Sequence, residues 1–335
     1  MGPRLLFLGP LRREFILPPQ GPPALDVPGG DALYAAVGAA LWGAEVGLVA
    51  RVGASFPQEW LTRWARQGWD VRGVRRLSTP LEMRRVLVYE EGFRLSGAPP
   101  ARAFLQRGLA FPKALLGYDP AAFPAQPALD RPSETTLRMS DLPPDLDEVR
   151  GAHLAPADWV THTLLPAALR QAGVAVITLD PGAAYMAPEG LQRIPALLQG
   201  LTAFLPAEEE LRRLFAHRIM DLWEMAEALA AWNVEWVVIK RGVAGHALYE
   251  RSSGRRWEIP AYPAQVRDPT GAGSAFCGGF LVGLVNTYDP VEAALHGAVS
   301  ASLVVERVGA CKALEILPGL AASRLEVLRS RVRRV

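Results

Sequence analysis

Short strand-like runs alternate with helix-like runs along nearly the whole chain, and that alternation limits the possible folds more than any other feature. Residues 5–9 (LLFLG) read as a first strand. Residues 32–42, an alanine-rich run preceded by Asp31, read as a tightly packed helix, and residues 46–52 as a buried strand. A helix over 59–67 and a strand over 84–89 follow. Further β-type runs lie at 174–179, 236–239 and 247–249, with helical segments at 208–215 and 221–232 and two closing helices at 275–285 and 291–305. Parallel strands need long crossovers, usually helical, so this order predicts an α/β fold of three layers, α/β/α, with a mostly parallel central sheet. Residues 95–144 hold nine prolines and little periodicity, and read as an irregular excursion across the surface. No internal repeat is visible, so residues 1–335 are read as one unit.

Half of the residues are hydrophobic and 21% are charged, which excludes disorder over most of the length. A net charge of +2 gives no electrostatic case for nucleic acid or anionic lipid as the main partner. Cys277 and Cys311 cannot build a disulfide framework and sit in no CxxC pattern, so a reducing cytoplasm is expected. The N-terminus lacks the apolar run of a signal peptide. Residues 269–288 carry no charge and contain the pair Gly279 and Gly283, but they open with Pro-Thr-Gly-Ala-Gly-Ser and end in Asn-Thr-Tyr. That reads as a buried glycine-rich helix and not a membrane span. His153, His162, His217, His246 and His296 show no metal-ligand spacing.

The chemistry concentrates in Asp268-Pro269-Thr270-Gly271-Ala272-Gly273-Ser274-Ala275-Phe276. Small residues where a loop enters a helix let successive amides point at one anion, and the positive end of the helix adds to the attraction. Such a turn stabilises charge on a transferred phosphoryl group without reorganising.

This stretch resembles the C-terminal signature D-x-T-G-A-G-D-x-F of the ribokinase-like (PfkB-type) carbohydrate kinase family, matching every defined position except the last Asp. Gly29-Gly30 opening the small-residue helix, then Leu41-Trp42-Gly43-Ala44 and a strand, follow the family's N-terminal signature. Leu179-Asp180-Pro181, Glu208 to Leu211 and Lys240 to Gly245 are weaker matches in the same order. The resemblance implies a large α/β domain with a small β-lid, here from about 10–28 and 84–120. It also implies ATP with Mg2+ as phosphoryl donor and a small-molecule hydroxyl, of sugar or nucleoside type, as acceptor. Gly271, Ala272 and Gly273 would form the anion hole, with Asp268 counted among the chemical residues. Thr270, Lys240, Gly242, Gly245 and Ser302 would lie on the nucleotide side, although Lys240 reads equally as a solvated strand-end lysine. Gly29, Gly30, Tyr34, Arg51, Arg13 and Asp180 would lie on the acceptor side, and Glu209 would act indirectly on the metal. A homodimer paired through the lids is the assembly such chains often form.

The chain departs from the pattern at several points. Ser274 stands where the family's proton-accepting Asp is expected, and a hydroxyl cannot act as a base at neutral pH without a base of its own. Tyr34 and Pro206 replace two expected Asn residues, and the acidic residue expected after the first strand is missing, with Arg12 and Arg13 in its neighbourhood. Arg12, Arg13 and Arg51 suit an acidic or phosphorylated ligand. Two readings follow: an ATP-dependent small-molecule kinase, or a weakly active or inactive relative that binds a nucleotide or sugar-like ligand as a sensor or scaffold.

Overall fold

The computed structural model describes residues 2, 4–122, 131–216 and 218–335. His217 and part of the proline-rich excursion therefore lie outside the described residues. The main sheet contains β1 (Arg4–Leu8), β4 (Glu45–Val52), β5 (Asp70–Arg76), β7 (Gly151–Leu154), β8 (Val176–Leu179), β9 (Ala203–Phe204), β10 (Trp236–Lys240), β11 (His246–Glu250), β12 (Arg256–Ile259) and β13 (Arg333–Arg334). Its order is β13-β12-β11-β10-β9-β8-β7-β1-β4-β5. All neighbours from β5 to β10 run parallel, and β11 to β13 extend the sheet antiparallel. The expected α/β fold with a mostly parallel sheet is the one observed.

Each central strand is apolar on both faces, as a sheet covered on both sides requires. Leu5 and Phe7 of β1 face α1 (Asp31–Ala40), α2 (Gln58–Arg66), α8 (Ala272–Thr287), α9 (Pro290–Val305) and α10 (Leu320–Arg329). Leu6 and Leu8 face α4 (Trp159–Gln171), α5 (Ile194–Leu198), α6 (Glu208–Leu214) and α7 (Leu222–Ala230). Each of these four side chains is essentially fully buried, worth about 1.5–3 kcal/mol apiece.

A second sheet of three strands, β2 (Arg12–Leu17), β3 (Ala24–Gly29) and β6 (Arg84–Val88), stands over the C-terminal edge of β1. The segment read as irregular contains a helix, α3 (Pro100–Gln106), whose Phe104 packs on Phe15 and Leu17 of this small sheet.

The uncharged run at 269–288 forms α8, apolar around its circumference and sandwiched between α1 and α9. No helix among the described residues is long and apolar enough to cross a membrane. Two glycines set the spacing of α1 and α8. A Cβ on Gly278 would lie 1.8 Å from the Ala35 carbonyl oxygen, and one on Gly38 would lie 2.2 Å from that of Ala275. Backbone therefore meets backbone, and the N-termini of α1 and α8 converge.

Candidate active site

The turn before α8 is built by Asp268. Its buried carboxylate accepts the amide of Thr270 at 2.9 Å and the amide of Gly309 at 3.1 Å. Gly271 then enters the helix in the left-handed region, φ 74°, where only glycine sits without strain. The Tyr34 ring fills the space beneath, so close that a side chain on Gly271 would overlap it. No side chain caps α8. The Ala272 amide turns back to the Pro269 carbonyl, whereas the amides of Gly271, Gly273 and Ser274 find no acceptor among the described residues. Open donors at a helix start form an anion site. Of the three amides expected to line a hole, those of Gly271 and Gly273 are open and that of Ala272 is not, while the Ser274 amide is open as well.

Lys240, at the end of β10, brings a cation to the same place. Its Nζ lies 3.6 Å from the position a side chain on Gly273 would take, and it pairs with the buried Asp180 at the end of β8. Burial works against the ammonium's charge, but the Asp180 carboxylate and neighbouring acids outweigh burial and hold Lys240 above its ordinary range. Cys277 lies 3.6 Å from Asp180, and burial raises its thiol well above the usual value, so it is no reactive thiolate.

Beside the turn opens a cavity of about 450 Å³. It sits where β1, β4, β7 and β8 end, with Gly9, Arg51, Asp158 and Gly182 on its walls. Arg12 and Arg85 of the small sheet and Asp31 of α1 complete the lining. Ligands of open α/β sheets gather at this edge. A larger groove of about 1200 Å³ between β3 and residues 306–308 does not reach Asp31, and the open amides line neither space; Asp31, bonded to Ser274, is what links the smaller cavity to the turn.

Residues 154–317 match the profile of the pfkB family carbohydrate kinases. A cytidine kinase from Thermococcus kodakarensis is 27% identical over 282 residues, which are 83% of this chain and 87% of that relative. Among solved structures, the nucleoside kinase of Methanocaldococcus jannaschii superposes with a TM-score of 0.65 at 19% identity, covering 98% of this chain and 100% of that one. The Arabidopsis thaliana ribokinase complexed with ribose and ATP gives 0.66 at 20% identity, with 98% and 99% covered. The chain is thus similar to the PfkB family of carbohydrate kinases.

Several of the expected site residues have other employment. Tyr34, expected at the acceptor, is buried under Gly271, and its hydroxyl donates to Glu14 Oε2 at 3.0 Å. Arg13 spends its guanidinium on both oxygens of Asp26, at 2.9 and 2.7 Å. Arg51 borders the cavity but is held by both oxygens of Asp141, at 2.7 and 3.1 Å. Arg13 and Arg51 are thus each held by a carboxylate of the chain itself, which removes them as free cations for an acidic ligand. Thr270 shares a hydrogen bond of 2.9 Å with the Tyr89 hydroxyl, tying the turn to the end of β6. Ser302 is buried on α9, donating to the Val299 carbonyl and accepting from Arg324. Gly242 and Gly245 shape the turn between β10 and β11. Glu209 is exposed; its neighbour Glu210 is the acid whose charge reaches Asp180 and Lys240, one residue along from the expected register.

Glu14 is the acid that seemed absent after the first strand. It is fully buried on β2, accepts the Gly30 amide at 3.0 Å, and occupies the space a side chain on Gly29 would need. Burial pushes its carboxyl up, from an ordinary 4.5 to about 7, against the pull of Arg85 and of the bonds from Gly30 and Tyr34. A raised value means that the folded state holds the proton more tightly. Stability is then greatest below pH 4.5, falls as pH rises to 7 and levels off above. At about 1.4 kcal/mol per unit, the span is on the order of 3 kcal/mol. Glu14→Gln is expected to flatten this part of a Tm-against-pH curve. Superimposable slopes for the two proteins between pH 5 and 7 would contradict the assignment.

Proposed function

We propose that this chain is an ATP-dependent kinase that transfers the γ-phosphoryl group to a hydroxyl of a sugar- or nucleoside-type small molecule in the cytoplasm. The observation that carries the reading is the juxtaposition of three open amides and the Lys240 ammonium with a separate cavity large enough for a small acceptor. The amides of Gly271, Gly273 and Ser274 would take the charge that develops on the transferred phosphoryl oxygens. Asp268 and Tyr34 hold that turn from below and do not touch substrate. Mg2+ would enter on the phosphates of ATP, since it is ordinarily held by one or two carboxylates together with substrate phosphates. Glu210 is the acid that this site offers it. The sensor reading rested on Ser274, Tyr34 and Pro206. It gains nothing from the relatives, which carry kinase names.

The test is thermal shift with nucleotide followed by turnover on an acceptor panel that includes cytidine and ribose. ATP with Mg2+ at about 100 times its Kd is expected to stabilise the fold by about 2.7 kcal/mol. ADP formation above the rate without acceptor is expected for at least one member. No shift with ATP would defeat the phosphate site.

A further inference from the structure

We propose that Asp31 is the catalytic base of this chain, its carboxylate reaching from α1 the place that a residue of α8 was expected to fill. The inference rests on the kinase reading above. Ser274 lacks a base in its own side chain, but its hydroxyl donates to Asp31 Oδ1 at 3.1 Å, across a sequence separation of 243 residues. Asp31 is half-buried and borders the acceptor cavity, whereas Ser274 is buried. The other carboxylate oxygen, Oδ2, accepts no hydrogen bond among the described residues. One oxygen is thus fixed by Ser274 and the other is open to an acceptor. The close approach of α1 and α8 at Gly38 and Gly278 makes the pairing geometrically firm.

In the step itself, the acceptor oxygen attacks the γ-phosphorus and a new O–P bond forms. The bond from that phosphorus to the bridging oxygen breaks, and the bridging oxygen leaves with the electron pair as part of ADP. The acceptor's proton passes to Asp31 Oδ2. The open amides of Gly271, Gly273 and Ser274 hold the phosphoryl oxygens during the transfer.

Asp31→Asn keeps the shape and removes the proton acceptor. With Mg2+ and ATP as donor, and cytidine or water as acceptor, kcat is expected to fall by about 10²–10⁴-fold. KM for ATP and the thermal shift given by ATP are expected to stay within about threefold. Ser274→Asp added to Asp31→Asn returns a carboxylate from the opposite helix, and is expected to restore at least about a tenfold gain. Should Asp31→Asn fail to fold, Asp31→Ala with added formate reads the same proton transfer by chemical rescue. Undiminished turnover in a folded Asp31→Asn that still binds ATP would overturn the assignment, as would a wild-type protein that binds ATP and turns over neither acceptor. Failure of the wild type to bind ATP would instead strike the phosphate-site reading, so the two failures are told apart.

Discussion

Gly278→Ala is expected to destabilise the fold by about 1–3 kcal/mol and to lower turnover by about 100-fold in whatever remains folded. The added methyl would stand 1.8 Å from the Ala35 carbonyl oxygen, a backbone atom that no rotamer change can move aside. Helices α1 and α8 must therefore part by more than an ångström. The two lie in the buried layer that also contains α9, and interiors packed to that density do not absorb such a shift locally. The stability loss follows from forced repacking. The loss of turnover has a different origin: the same approach of α1 to α8 sets the distance between Asp31 and Ser274. Gly97→Ala is the control, since a Cβ there meets nothing within 4 Å and its effect is expected to stay within about 0.5 kcal/mol. Urea unfolding and steady-state turnover on both variants make the comparison. A Gly278→Ala protein as stable and as active as wild type would mean that the helices are not in the contact described.

What could be read from the sequence, and what could not, divides along physical lines. The strands β1, β4, β8 and β10 were legible because a strand buried on both faces must be apolar throughout, and nothing else in the chain looks like LLFL or WVVI. Strand β5, DVRGVRR, escaped notice because it closes the sheet with its arginines turned to solvent. Helix α4 was hidden by Pro166, which ordinarily stops a helix but lies inside this one, whose first turn Asp158 caps. The phosphate turn was legible as a pattern of small residues, because the chemistry lies in the backbone and the sequence only has to leave room for it.

Side-chain employment was not legible in the same way. Arg51 reads as a free cation until Asp141, 90 residues away, is folded onto it. Tyr34 reads as a substrate contact until Glu14 is seen to claim its hydroxyl. Asp31 reads as a helix-start residue until the distant Ser274 is brought beside it. The one signal that could have found Glu14 was local: a lone acid within the otherwise apolar EFIL stretch is a candidate for a buried, bonded carboxylate. No comparable clue marks Glu210 over Glu209, since three glutamates in succession differ only in the face of the helix they occupy.

Lys240→Met is expected to cost about 3–5 kcal/mol in stability, the range for removing one partner of a buried ion pair. Both side chains are nearly inaccessible, and among the described residues Asp180 makes no ion pair with another cation. Left alone, its carboxylate must take a proton in the folded state, so the variant is expected to gain stability as pH falls from neutral toward the ordinary carboxylate range. Stability alone would not show that Lys240 serves the nucleotide. The double variant Lys240→Met with Asp180→Leu separates the two roles, since it removes the orphaned charge and fills its place with hydrocarbon. It is expected to recover most of the lost stability, while ATP affinity stays reduced by at least about tenfold because the cation beside Gly273 is gone. Full recovery of ATP affinity in that double variant would reduce Lys240 to a structural partner of Asp180 and leave the open amides as the phosphate site by themselves.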